Sequence, residues 1–108
     1  MKIENLQSQM RKGVLEYCIL SILKKEAAYT SDIIEKLKDA ELIVVEGTLY
    51  PLLTRLKNGG LLSYHWEESA SGPPRKYYEL SELGLDFLEQ MDKVWSQINH
   101  TVKHLQSK

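Results

Sequence analysis

Apolar positions recur along this chain at three kinds of spacing, and each predicts a different element. From about Lys12 to Lys25 the residues Val14, Leu15, Cys18, Ile19, Ile22 and Leu23 follow at helical intervals and predict a first core helix. Lys24 and Lys25 close it, at the negative pole of the helix dipole. Upstream, Ile3, Leu6 and Met10 stand three and four apart, so residues 1–11 read either as a helical arm or as a frayed tail. Thr30 or Ser31 is placed to cap a short second helix over SDIIEKLKDA, with Ile33, Ile34 and Leu37 facing inward. The run LIVV at 42–45 then reads as a brief strand or an extended linker.

The stretch EGTLYPLLTRLKNGGLL at 46–62 carries the third helix. Leu49, Leu52, Leu53 and Leu56 sit at i, i+3, i+4 and i+7 and make one buried stripe. At about 100° per residue, Pro51, Thr54, Arg55 and Asn58 point away from it, with Thr48 and Tyr50 on its flanks. A cap at Gly47 or Thr48 puts Pro51 at or beside the first turn, where a missing N–H costs little. An earlier start makes Pro51 a kink. Asn58-Gly59-Gly60 ends the helix.

Next the period falls to two. Leu62, Tyr64 and Trp66 alternate against Leu61, Ser63 and His65, RKYYEL alternates likewise, and ESASGPP between them has no apolar anchor. These segments predict a hairpin with a flexible tip. Packing across the strands accounts for Tyr64, Trp66, Tyr77 and Tyr78 better than a base-stacking platform, which would want flanking cations along the strands.

Ser81 is placed to cap a last helix, with Glu82 in its first turn. Along it Leu88, Met91, Trp95, Ile98, Val102 and Leu105 recur at alternating intervals of three and four, and Gly84 falls on the same seam. A helix of about 24 residues is about 36 Å long, more than a small body covers. The seam therefore predicts burial against a second copy of the chain.

Composition narrows what this architecture does. A chain of 108 residues with 43% hydrophobic positions builds one modest core. The formal net charge of -1 rules out a broad positive field, so any nucleic-acid contact rests on a few placed cations. The single cysteine excludes an internal disulfide and a thiolate metal cluster, and its place on the apolar face of the first helix makes it a structural thiol. With short apolar runs and a polar start, no membrane segment or signal peptide is expected, and the chain is expected in the cytoplasm. His100 and His104 lie one turn apart without a third ligand. No nucleophile stands with a base and no glycine loop cradles phosphate, so no catalytic residue, cofactor or metal site is expected.

The predicted class is mainly α with a small β-hairpin. Three helices, the third polar on its outer face, then a hairpin and a long helix, make a winged helix-turn-helix with a C-terminal dimerisation helix. Its expected division is a DNA-binding domain over 1–80, with 1–11 as arm, and a dimerisation helix over 81–108. The motifs EGTLYPLLTRL, GLL and GPPRKYYELSELG, followed by an aromatic-bearing long helix, resemble the PadR family of bacterial winged-helix regulators in its short form, over residues 12 to 105.

That resemblance implies a homodimeric repressor bound to double-stranded operator DNA through the third helix and the wing. It also implies, in multidrug-sensing members, a planar aromatic effector stacked between subunits on a tryptophan that corresponds to Trp95. Thr48, Tyr50, Thr54, Arg55 and Asn58 on the helix, with Arg75 and Lys76 on the wing, are the expected DNA contacts. Arg55 is expected on the same side as Arg75 and Lys76. Trp95 serves either a ligand or plain packing of the seam. Two departures stand out: Pro73 occupies a wing position that often holds arginine, and Thr30-Ser31 replaces a common Gly-Tyr. The rival reading is a winged-helix module that binds protein and no DNA.

Overall fold

The computed structural model describes residues 1–107; Lys108, the last residue of the expected 81–108 segment, lies outside the described residues. The order is α1 (Ile3–Lys25), β1 (Ala28–Tyr29), α2 (Thr30–Asp39), α3 (Glu46–Asn58), β2 (Leu62–Ser69), β3 (Gly72–Leu80) and α4 (Glu82–Gln106). The N-terminal arm is thus helical and continuous with the first core helix. The LIVV segment is a linker without strand structure.

Burial follows the stripes. Leu15, Ile19, Leu20 and Leu23 of α1, Ile33 and Leu37 of α2, and Leu49, Leu53 and Leu56 of α3 form one core with Leu62, Tyr78 and Leu88. Cys18 is half-buried at its edge, and burial pushes its thiol above the ordinary value, as befits an inert structural cysteine.

Three local expectations change, and for α3 the earlier of the two starts is the one found. The N-cap of α2 is Tyr29 and not Thr30 or Ser31; the Asp32 carboxylate accepts the Tyr29 backbone N–H at 3.1 Å, closing the first turn from within. α3 starts at Glu46 behind Val45, so Pro51 lies in the second turn and leaves the Gly47 carbonyl without its helical donor. The hairpin tip is shorter than predicted: pairing runs on to Ser69 opposite Gly72, and both prolines lie within β3. β1 was not anticipated; it adds a third antiparallel strand, in the order β1-β3-β2.

Two helix ends rely on left-handed residues. At the end of α3 the Leu61 N–H reaches the Leu56 carbonyl and the Gly60 N–H the Lys57 carbonyl, with Gly60 at φ 82°. α2 ends the same way at Glu41, φ 67°, without the glycine. Ser81 caps α4 as expected, accepting from Gly84 N at 3.0 Å while its hydroxyl donates to the Gly60 carbonyl at 2.6 Å. This clip locks the end of α3 to the start of α4. A Cβ on Gly84 would lie 2.1 Å from the Leu61 carbonyl oxygen, so that approach admits glycine alone.

Candidate nucleic-acid interface and an apolar cleft

α3 buries Leu49, Leu53 and Leu56 and exposes Thr48, Tyr50, Thr54, Arg55 and Asn58. Its two flanks look onto different neighbours. Tyr50 lies toward the wing, and Lys57 sits over the Tyr64 ring at 5.6 Å. Arg55, about 140° further round the helix, pairs with Glu16 of α1 at 3.1 Å and borders Phe87 and Met91 of α4. The expected grouping of Arg55 with Arg75 and Lys76 is therefore not found: the five-residue step from Tyr50 carries Arg55 to the α1 side.

The N-terminal end of α2, the start of α3 and the wing enclose a cleft of about 500 Å³ containing Thr30, Ser31, Tyr50, Trp66, Arg75 and Lys76. Each arrives by a separate route. Capping at Tyr29 puts Thr30 and Ser31 at the open N–H end of α2. The pairing of Trp66 with Lys76 and of Glu67 with Arg75 puts the two wing cations on opposite faces of the hairpin, Lys76 with Tyr64 and Trp66 and Arg75 with Tyr29.

The wing aromatics mostly pack. Tyr64 meets Tyr78 at 5.7 Å, and Tyr77 meets Tyr29 at 5.0 Å. Trp66 departs from this, remaining 60% exposed with its ring at 6.2 Å from Tyr64. Lys76 lies over Tyr64 at 4.5 Å and Arg75 over Tyr29 at 4.2 Å. The Tyr29 hydroxyl donates to Glu67 at 2.6 Å, and His65 holds the other Glu67 oxygen at 2.8 Å. Both contacts hold the Glu67 carboxyl below its usual range, Tyr29 first, and the same bond raises the Tyr29 phenol. Tyr29 is a residue that sequence reasoning passed over, because a two-residue strand is too short to show a period.

A second cleft of about 500 Å³ lies between α1 and α4, walled by Met10, Val14, Tyr17, Met91, Trp95 and Ile98. Tyr17 faces Trp95 at 6.3 Å, and its hydroxyl donates to Asp92 at 2.5 Å, which raises the Tyr17 phenol. Along the predicted seam, Leu88 is buried in this chain's own core and Met91 is packed against it. Trp95, Ile98, Val102 and Leu105 stay 42%, 50%, 46% and 76% exposed. Near the cleft α1 adds Ile3, Leu6 and Met10, exposed as well. His100 and His104 stack at 6.4 Å, and no group of three metal-ligating side chains occurs among the described residues. No helix among them is long and apolar enough to cross a membrane.

A helix-turn-helix whose third helix stands beside a two-stranded wing, followed by a long helix, defines a winged-helix regulator. The family model described as the transcriptional regulator PadR-like family matches residues 19–90, and the chain belongs to that family. It is 64% identical to a PadR-like transcription factor from Bacteroides fragilis, with a TM-score of 0.80 over 94% of this chain and 98% of that one. A PadR family transcriptional regulator from Eggerthella lenta is 33% identical, with a TM-score of 0.89 over 98% and 94%. A PadR-like regulator from Bacillus cereus is 39% identical, with a TM-score of 0.80 over 93% and 99%. An uncharacterised protein of Lysinibacillus sphaericus is 23% identical over 100 residues, 90% of this chain and 92% of the relative. The chain is thus a transcriptional regulator, a class that works on DNA and not by catalysis.

Proposed function

We propose that the chain is a homodimeric repressor that acts in the cytoplasm on a pseudo-palindromic operator and is released by a planar aromatic effector. Residues 1–80 form its DNA-binding unit, and the helix from residue 81 onward joins two copies. The observation that carries this reading is the convergence of three elements on the cleft between α2, α3 and the wing. The N–H end of α2 and the exposed Ser31 hydroxyl, with Arg75 and Lys76, suit backbone phosphates and fix register on the duplex. Thr48, Tyr50, Thr54 and Asn58 on the outer face of α3 suit base edges in the major groove. Arg55 is three-quarters exposed beside Glu16 and reaches a phosphate by exchanging that carboxylate for it.

The dimer is supported by the apolar stretch from Trp95 to Leu105, too large to stand alone in water beside the equally exposed Ile3, Leu6 and Met10. Pairing two copies would set two α3 helices at a fixed separation, and the duplex repeats every 34 Å or so. The cleft at Trp95 offers an aromatic face and an apolar wall to a flat ligand. A ligand there bears on α1 and α4, which carry the two reading helices, and by linkage operator DNA weakens the ligand by the factor that the ligand weakens DNA.

A gel-shift titration against the promoter of the chain's own operon, with and without planar aromatic dyes, tests both halves. Retardation that the dyes reverse is expected, together with quenching of Trp95 fluorescence in a Trp66→Phe chain. No retardation would leave the protein-binding module as the better account. Retardation indifferent to dyes that do quench Trp95 would return that tryptophan to a packing role.

A further inference from the structure

The register of the wing sets Glu67 directly across from Arg75. Opposite charges in that relation ordinarily pair across the strands. Here they do not: Arg75 makes no ion pair among the described residues, and Glu67 is engaged elsewhere. One Glu67 oxygen accepts the Tyr29 hydroxyl at 2.6 Å and the other meets His65 Nε2 at 2.8 Å. The Arg75 guanidinium lies 4.2 Å over the Tyr29 ring. A guanidinium over an aromatic face keeps its N–H donors at its rim, where a phosphate can take two of them.

We infer that Tyr29 is a positioning residue for DNA binding, dividing Glu67 from Arg75 so that the wing arginine faces an operator phosphate and not its own cross-strand acid. The hydroxyl occupies the carboxylate and the ring carries the cation. His65 completes the arrangement by holding the remaining oxygen, and the Tyr77 edge, 5.0 Å from Tyr29, fixes the ring from the strand side. β1 gains a purpose from this: pairing Tyr29 with Tyr77 is what brings a residue from the front of α2 alongside the wing. The device matters in a chain of net charge -1, where each wing cation lost to an internal acid is a large share of the attraction to DNA.

This inference rests on the proposed role of the wing at DNA, and the test separates the two. Tyr29→Phe keeps the ring and its contact with Tyr77 but frees one Glu67 oxygen for Arg75. Affinity for a duplex carrying the chain's own promoter is expected to fall roughly three- to fivefold, what an exposed cross-strand pair withholds. Adding Glu67→Gln to Tyr29→Phe is expected to restore wild-type affinity, a rescue that no general loosening of the fold would show. Thermal melts of each variant report the fold independently. Wild-type affinity in Tyr29→Phe, or a loss that Glu67→Gln does not relieve, overturns the divider. Arg75→Ala reads the wing contact separately: if it weakens binding while Tyr29→Phe does not, only the divider fails, and if it changes neither affinity nor salt dependence, the wing contact fails with it.

Discussion

Ile98→Glu probes whether two copies meet along the outer half of α4. In one chain Ile98 is half exposed beside Trp95, so the carboxylate stays hydrated and the fold tolerates it. In a dimer closed over this seam the same carboxylate is buried without a partner, at a cost of about 3 to 5 kcal/mol. Two-fold symmetry doubles the cost. Taking the low end, because the neighbouring cleft keeps some solvent, about 6 kcal/mol corresponds to a dissociation constant raised by a factor of roughly ten thousand. Light scattering across a dilution series is expected to give a monomer for Ile98→Glu where the native chain gives a dimer, with an unchanged far-ultraviolet spectrum. Operator affinity should fall with it, since half-sites bound singly lose the gain from linkage. An intact dimer at micromolar concentration would show that the seam packs some other way. Leu88→Ala is the contrast: Leu88 belongs to the chain's own core, so it should cost about 2 to 5 kcal/mol of stability without selectively splitting the dimer.

Three further outcomes follow from individual contacts. Arg55→Ala should lower the salt slope of operator binding by about one, while Glu16→Gln, by freeing the guanidinium, should tighten binding only when Arg55 is present; an unchanged slope would make the pair a strut between α1 and α3. Gly84→Ala should destabilise by about 3 kcal/mol or more in a denaturant titration, because the new Cβ meets the Leu61 carbonyl and not a movable side chain; a loss under about 1 kcal/mol would contradict the close approach. Because Glu67 is held below its ordinary value of 4.5, its bonds to Tyr29 and His65 stabilise the wing above that pH and are lost as pH falls through the lowered native value. The melting difference between wild type and Glu67→Gln should accordingly vanish in acid, and a difference that persists there would dissociate Glu67 from the effect.

Much of this protein is legible in one dimension, since a helical stripe or a strand alternation is a local statement about which side faces the core. The Leu49 to Leu56 stripe, the alternation around Tyr64 and Tyr78 and the Ser81 cap all have that character. The outward face of α3 follows as the complement of its stripe. What the sequence by itself could not determine is which distant side chains lie beside these faces. Arg55 reads as a companion of Arg75 until packing places Glu16 of α1 beside it, and Leu88 reads as interface until the α3–α4 clip draws it into the core. Tyr29 carries no local signal at all. Its contacts with Tyr77, Glu67 and Arg75 span 38 to 48 residues, and only the closing of β1 onto β3 brings them together. Period and capping are short-range physics written in neighbouring residues, whereas ion pairing and the shape of a cleft depend on the tertiary structure, where groups far apart in the chain compete for the same partner.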